Sequence, residues 1–166
     1  MGKRKISSDR IISFSAIIIA IVSIIVAIWQ GIEFRNYNRL SVKPLLDISY
    51  SLNYDKNLVE FTVKNYGMGP AIIGEATAKV DSSEYIINDT NQLFQFLNKL
   101  GIDKVPVTFN NLELGGIILP NEHFNIFVVE IHSLEKLGIN TNTLINNVNI
   151  KIKYKSLYNE EFVVSQ

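Results

Sequence analysis

The amino-acid sequence predicts a mainly β protein, in which an N-terminal transmembrane helix is followed by an antiparallel β-sandwich with one or two short inserted helices. Two observations lead to this prediction. Residues 11–29 form a run of 19 residues without a charge. Beyond Pro44, apolar and polar residues alternate in several short segments separated by turn residues, which is typical of strands with one buried face.

The apolar run is predicted to be an uncleaved signal anchor, with the transmembrane helix at residues 11–32. At 1.5 Å per residue the run spans about the 30 Å hydrocarbon core of a bilayer. A cleaved signal peptide is the competing interpretation, because the basic residues 1–5 (MGKRK) precede the run. The run is too long for a cleaved signal, and Ile25, two positions before Ala27, is larger than a signal peptidase prefers.

Basic residues on both sides of the run indicate its orientation. They are Lys3, Arg4, Lys5 and Arg10 in the basic N-terminal segment at residues 1–10, and Arg35, Arg39 and Lys43 on the other side. The four basic residues on the amino side outnumber the three on the carboxyl side. This difference favours a single-pass protein with a cytoplasmic amino terminus and an extracytoplasmic domain, and it leaves the reverse topology open.

Residues 33–44 are predicted to form a juxtamembrane connector. Arg35 and Arg39 share one face of a helix that continues out of the membrane until Pro44 stops it. Together with Lys43 they are predicted to contact lipid headgroups. A plain connector with solvated charges is the alternative.

Small residues form one stripe on the predicted membrane helix. They recur at steps of three and four residues, at Ser13, Ala16, Ala20, Ser23 and Ala27. Small residues let membrane helices approach closely, so the stripe predicts a homodimer through the transmembrane helix. The alternative is that the stripe only reflects the usual composition of a membrane helix.

The predicted β-sandwich domain, residues 45–166, follows from the alternation of apolar and polar residues. Leu46 and Ile48, for example, alternate with Asp47 and Ser49. Strands are predicted at residues 46–54, 59–64, 71–80, 84–88, 124–131, 148–155 and 162–165. Helices are predicted at residues 90–100, with Asp89 or Thr90 as the N-cap and Gly101 at the end, and at residues 133–137, closed by Gly138.

The stretch KNYGMGPAII, residues 64–73, raises the question of a phosphate-binding glycine loop. Such a loop lies between a strand and a helix and offers free backbone N–H groups. Pro70 removes one N–H, and the residues that follow it resemble a strand. Gly67, Gly69 and Pro70 are therefore predicted to form a structural corner between two strands, in which the glycines meet a need for positive φ or for close packing.

The corner also carries a family resemblance. NYGMGPAII resembles the N-x-G-x-G-P-A corner of immunoglobulin-like sandwich domains in poorly characterised bacterial and archaeal single-pass membrane proteins. In that group a basic segment like RNYNRLSVKP follows the helix, an L-P-x-E turn like Leu119–Glu122 precedes a later strand, and a closing hairpin resembles IKIKYKSLYNEEFVV. The resemblance implies an immunoglobulin-like fold and membrane anchoring, and it brings no catalytic residues.

Charge and reactive residues argue against several functions. Residues 30–166 carry 12 basic and 15 acidic side chains, a formal charge of −3, which is not that of a nucleic-acid-binding domain. His123 and His132 lack the spacing of a metal-binding pair. No nucleophile motif is present and no carboxylate pair lies in an apolar setting, so neither enzymatic activity nor a metal or cofactor is predicted.

Three lysines share one face of a predicted strand, at Lys151, Lys153 and Lys155. One interpretation is an anion or headgroup patch. The favoured interpretation is an edge strand that its lysines protect from aggregation, with Glu160 and Glu161 as cross-strand partners.

The main functional hypothesis is a membrane-anchored, non-enzymatic interaction module that binds a protein partner or a second copy of itself. The alternative is a small membrane effector, of the phage-defence or toxin type, with a cytoplasmic sensing domain and an assembling helix. A surface hydrolase is a third, weaker hypothesis.

Overall fold

The computed structural model describes residues 8–110 and 112–166. The chain forms two compact units, Met1–Leu40 and Ser41–Gln166. The second unit thus begins four residues before the domain boundary predicted at residue 45. Residues 1–7 of the predicted basic segment lie outside the described residues.

Helix α1, Ser8–Ser41, contains the whole apolar run and is long and apolar enough to cross a membrane. None of its residues is buried. Residues 33–41 of the predicted connector are helical, and the helix ends three residues before Pro44. This is where it should end, because a proline disfavours helical angles in the residue before it and cannot donate the helix hydrogen bond.

The second unit is a β-sandwich of two antiparallel sheets. Its strands are β1 Leu46–Asn53, β2 Leu58–Asn65, β3 Ala71–Val80, β4 Ser83–Ile86, β5 Val107–Phe109, β6 Ile117–Ile118, β7 His123–Glu130, β8 Val148–Lys155 and β9 Glu161–Ser165. One sheet has the order β1-β2-β7-β5 and the other the order β4-β3-β8-β9, with β6 also paired to β3. The predicted transmembrane-type helix followed by an antiparallel sandwich is therefore the observed fold.

The three short helices are α2 Thr90–Leu100, α3 Ile131–Lys136 and α4 Thr141–Asn147. The caps predicted for α2 are confirmed. The side chain of Asp89 accepts a hydrogen bond from the backbone N–H of Gln92, and Gly101 ends the helix at φ 72°. Helix α4 was not predicted, nor were the short strands β5 and β6.

The core lies between the sheets and is built around three fully buried aromatic rings. Phe61 of β2 stacks on Phe127 of β7 with ring centroids 4.3 Å apart, and Phe96 of α2 meets Phe127 edge-on at 6.1 Å. Burial of each ring contributes a few kcal/mol, about 25 cal/mol per Å² of apolar surface. The same cluster therefore holds the two strands together and fixes α2 on the sandwich.

The face predicted for β1 is buried only in part. Leu46 and Ile48 lie in the core, whereas Tyr50 is exposed, as is Tyr54 beyond the end of the strand. Strand β1 is the outermost strand of its sheet, and in its second half Leu52 is only half-buried against the core. The alternation of apolar and polar residues thus predicts the strand correctly, but it places Tyr50 and Tyr54 in the core although both are exposed.

Candidate functional site

The corner between β2 and β3 is organised by the side chain of Asn65, which is 0% exposed. Its Oδ1 accepts hydrogen bonds from the backbone N–H groups of Leu45 at 3.1 Å and Gly67 at 2.9 Å. Its Nδ2 donates to the carbonyl oxygens of Gly69 at 2.8 Å and Ile118 at 3.0 Å. The amide group thus donates two hydrogen bonds through its Nδ2 and accepts two through its Oδ1. One buried side chain joins three stretches of chain.

Gly67 and Gly69 are required by close packing. Among the described residues, the glycines with positive φ are Gly101, Gly115 and Gly138, so the positive-φ alternative for the corner is wrong. A Cβ on Gly69 would overlap the backbone of Val42, and a Cβ on Gly67 would overlap the backbone of Lys43 and Leu45. The close-packing alternative is confirmed.

Pro70 completes the corner directly before β3, where no ladder N–H is needed. The segment that follows the corner is a strand, so the residues do not form a phosphate-binding loop of the strand-to-helix type. The predicted structural corner is what the chain forms.

The corner holds the chain that has just left α1. The backbone N–H of Tyr66 donates to the carbonyl oxygen of Leu45 at 2.8 Å, and that of Gly69 to the oxygen of Lys43 at 3.4 Å. One residue on, the N–H of Leu46 donates to the hydroxyl oxygen of Tyr154 at 3.3 Å. We call residues 42–45, held in this way, the bonded segment.

The three residues predicted to contact headgroups lie on two different elements. Arg35 and Arg39 are exposed residues of α1. Lys43 belongs to the bonded segment, and its Nζ lies 5.0 Å from the ring centroid of Phe162 in β9. Lys43 is thus a residue of the sandwich rather than a third member of the helical face. Headgroup contact stays a prediction for all three.

The predicted self-association stripe lies on α1, where Ser13, Ala16, Ala20, Ser23 and Ala27 are all exposed. The hydroxyl of Ser13 donates to the carbonyl oxygen of Asp9, and that of Ser23 to the oxygen of Ile19, both at 2.8 Å. Each hydroxyl is therefore bonded within its own helix, in the way that serines of membrane helices often are. Self-association through the stripe stays a prediction.

The edge-strand interpretation of the three lysines is wrong. Strand β8 lies between β3 and β9, so β9 is the outer strand. Of the predicted partners, Glu161 pairs with Lys155 at 3.1 Å, whereas Glu160 interacts with Ser156. Strand order depends on pairing between distant segments, which a local pattern does not contain.

Lys153 pairs across the sheet with Glu75 of β3, with Nζ and Oε1 2.7 Å apart. The hydrogen bond from this carboxylate, together with its negative charge, raises the pKa of Lys153 above the ordinary lysine value. The two ion pairs border a shallow groove of about 180 Å³. Lys153 and Lys155 are each paired with a glutamate. The groove therefore lacks the excess positive charge that an anion site needs.

A larger groove of about 370 Å³ lies between α2 and the edge strand β5. Leu93, Leu97 and Ile102 are buried at its floor. Phe94, 63% exposed, forms one side, and the strand β5 forms the other. Sequence reasoning missed this groove because it depends on β5, although the apolar face of α2 was predicted.

The histidines lie at opposite ends of β7. His123 is the first residue of the strand, and His132 lies in α3, where its Nδ1 is 3.7 Å from the carboxylate of Glu135. Within residues 8–110 and 112–166, no three histidine, aspartate or glutamate side chains form a group that could hold a metal ion.

Comparison with known proteins gives one finding and one negative result. No curated protein matches the chain. A family profile matches residues 11–165, and its start at Ile11 coincides with the first residue of the apolar run. Since this match covers α1 and the sandwich together, the chain belongs to the family described as a domain of unknown function, DUF8453.

Proposed function

We propose that this protein is a single-pass membrane protein that holds a non-enzymatic β-sandwich interaction module at the membrane surface. The bonded segment is the observation that carries the proposal. Only residues 42–45 separate the end of α1 from β1, and hydrogen bonds from the corner hold this connection. A sandwich whose first strand follows the helix after four residues is suited to act close to the membrane.

The family match supports an anchor over a removable signal, because the match treats the helix and the sandwich as one unit. The test is alkaline extraction of membranes that contain the full-length chain, together with the mass of the mature protein. We expect an intact chain in the membrane pellet for the wild type and for Ile19→Leu. Release into the soluble fraction, or loss of the first residues up to about Ala27, would overturn the anchor.

An extracytoplasmic sandwich is the topology we propose, and the chain is convenient for testing it because it contains no cysteine. Tyr54 lies in the exposed β1–β2 turn and can be changed to cysteine. We expect a membrane-impermeant maleimide to label Tyr54→Cys in intact cells. Labelling only after the membrane is opened would favour the cytoplasmic effector instead.

The groove between α2 and β5 supports the interaction part of the proposal. Among the strands of the described residues, β5 pairs only with β7, so its other edge can accept a further strand. The adjoining groove presents Phe94, Val107 and Phe109. An exposed edge beside an apolar groove fits an extended protein segment, whose backbone would pair with β5 while apolar side chains enter the groove.

A photo-reactive phenylalanine analogue tests this surface in cells. We expect the analogue at Phe94 to give a discrete crosslinked species, and mass spectrometry then identifies it as a second copy or another protein. The matched control is the same analogue at Gln95, which is exposed on α2 but does not line the groove. Equal crosslinking at the two positions, or none at either, would contradict the proposed binding surface.

A further inference from the structure

We infer that three neighbouring loop tips of the sandwich, carrying Met68, Leu119 and Leu157, insert into the surface of the bilayer that α1 crosses. The inference rests on the proposed membrane anchor. It adds a second membrane contact, made by the folded module itself.

The three loops lie at the same end of the sandwich. The corner and the turn at residues 119–122 are joined by the backbone N–H of Asn121, which donates to the carbonyl oxygen of Asn65 at 2.8 Å. Lys155, at the end of β8, pairs in register with Ile72, near the start of β3. The hairpin at residues 156–160 therefore projects next to the corner.

Each of these loops exposes a large apolar side chain at its tip. Met68 is 75% exposed, Leu119 56% and Leu157 60%. Single exposed apolar residues are normal on soluble proteins, but a cluster of them at one end indicates a contact surface. The turns of the opposite end carry Asp55 and Asp81, next to the exposed Tyr54 with its polar hydroxyl.

Aromatic and lysine side chains accompany the tips. The Nζ of Lys64 lies 4.6 Å from the ring centroid of Tyr66, which is itself exposed in the corner. Lys43 stacks in the same way on Phe162. Tyrosine and lysine are among the side chains that membrane interfaces favour.

The short connection between α1 and the sandwich indicates that the three tips contact lipid. The corner packs on the bonded segment, which starts directly after Ser41. Residues 33–41 rise about 14 Å beyond the predicted membrane helix, of which the headgroup layer takes up about 5 to 8 Å. The end of the sandwich that carries the three tips is therefore the end through which the chain from α1 enters.

The charges at this end indicate which lipid is needed. Three lysines, Lys43, Lys64 and Lys155, are matched in number by three glutamates, Glu122, Glu160 and Glu161, and Lys155 forms an ion pair with Glu161. Because the cluster has no excess positive charge, the contact is apolar and does not depend on anionic lipid. Zwitterionic lipid is therefore the sufficient probe.

The experiment uses full-length protein in phosphatidylcholine nanodiscs. Single cysteines replace Met68, Leu119 or Leu157, each labelled with an environment-sensitive fluorophore and exposed to nitroxide-labelled lipid. We expect blue-shifted emission and quenching at all three positions. Tyr54→Cys, equally exposed at the far end, is the matched control and should show neither effect. Ile19→Cys, within the apolar run, reports whether α1 is in the bilayer.

The Ile19→Cys reading separates the two proposals. If Ile19→Cys is quenched but the three tips behave like Tyr54→Cys, the tips do not touch lipid and this inference fails, while the anchor stands. If Ile19→Cys is not quenched, the anchor and the inference fail together. Quenching of the tips only when anionic lipid is added would overturn the apolar contact and indicate an electrostatic one.

Discussion

The side chain of Asn65, at the end of β2, holds the backbone N–H of Leu45 at 3.1 Å, so the second strand fixes the chain that enters the first. The same amide group bonds the corner and β6. This relationship explains why the corner begins with an asparagine. An amide offers a donor and an acceptor from one short side chain, and both are needed here.

Replacement of Asn65 is expected to destabilise the sandwich strongly. Asn65→Ala leaves the N–H groups of Leu45 and Gly67 and two carbonyl oxygens without their partner in a buried place, at a cost of at least about 2 kcal/mol. Asn65→Asp is expected to be no better, because it loses the donor and buries a charge. Thermal unfolding followed by circular dichroism on the full-length protein measures the change.

Asn146→Ala, at an exposed position of α4, is the matched control and should leave the unfolding temperature unchanged. An Asn65→Ala protein as stable as this control would show that the hydrogen bonds of the Asn65 side chain do not contribute to stability.

Gly69→Ala is expected to cost about 1 to 3 kcal/mol, because the added Cβ overlaps the backbone of Val42 and forces a backbone shift. Gly69→Asn should be at least as harmful. At Gly101, where φ is 72°, asparagine should be tolerated better than alanine, since it adopts left-handed angles more readily. The unfolding free energies of the four variants test the distinction.

For Gly69 the opposite order, with asparagine milder than alanine, would indicate that backbone angle and not close packing requires the glycine. Gly31→Ala serves as the control, since nothing lies within 4 Å of a Cβ there.

Phe127→Ala is expected to cost about 3 to 5 kcal/mol, since it removes the ring that contacts both Phe61 and Phe96 and leaves a cavity. Phe94→Ala, which removes a ring of the same size from an exposed position, should change stability by less than about 0.5 kcal/mol. Chemical denaturation of both variants gives the comparison. Similar losses in the two proteins would contradict the assigned core.

Glu75→Gln is expected to lower the pKa of Lys153 towards its ordinary value, because the hydrogen bond and charge that raise it are weakened. A pKa raised on folding stabilises the protein at pH values below the ordinary lysine pKa, and this stabilisation is lost as the pH rises through the raised value. The pair is exposed and screened by solvent, so the loss of stability at neutral pH should be small. An NMR titration of Lys153 tests the shift, and an unchanged pKa in the variant would contradict it.

Ala20→Ile is expected to weaken self-association of the full-length chain in a membrane two-hybrid assay. Lipid tails are as apolar as isoleucine, so pairing depends on close packing along the small-residue stripe, which added bulk prevents. Ile19→Leu, on a neighbouring face of α1, is the control and should have little effect. Equal signals from the wild type and both variants would mean that the stripe reflects composition only.

Elements with a strong local signal were predictable from the sequence. Strand β8 alternates over its whole length, and α2 has both of its caps, Asp89 and Gly101, in the sequence. Strand β5 has only three residues and is defined by its pairing with β7. Three residues are too few to show the alternation of apolar and polar side chains by which a strand is predicted. Helix α4 has only two buried residues, Leu144 and Ile145, too few for a helical pattern.

The candidate site was predictable in part for the same reason. The corner could be recognised from Gly67, Gly69 and Pro70, which are adjacent. Of the four partners of Asn65, Gly67 and Gly69 are close in sequence, but Leu45 lies 20 residues before it and Ile118 lies 53 after it. No local sequence pattern connects Asn65 with Leu45 and Ile118. Their hydrogen bonds therefore cannot be predicted until the pairing of the strands is known.

The bonded segment also bears on how such a module could be released from a cell. Proteases cut preferentially in exposed stretches of chain whose backbone is not held by hydrogen bonds. Here the backbone of Lys43 and Leu45 is engaged by the corner. A cut at this place would remove residues on which Gly67 and Gly69 pack. In the proposed topology, cleavage directly above the membrane is thus disfavoured, and the fragment it produced would lack part of its own fold.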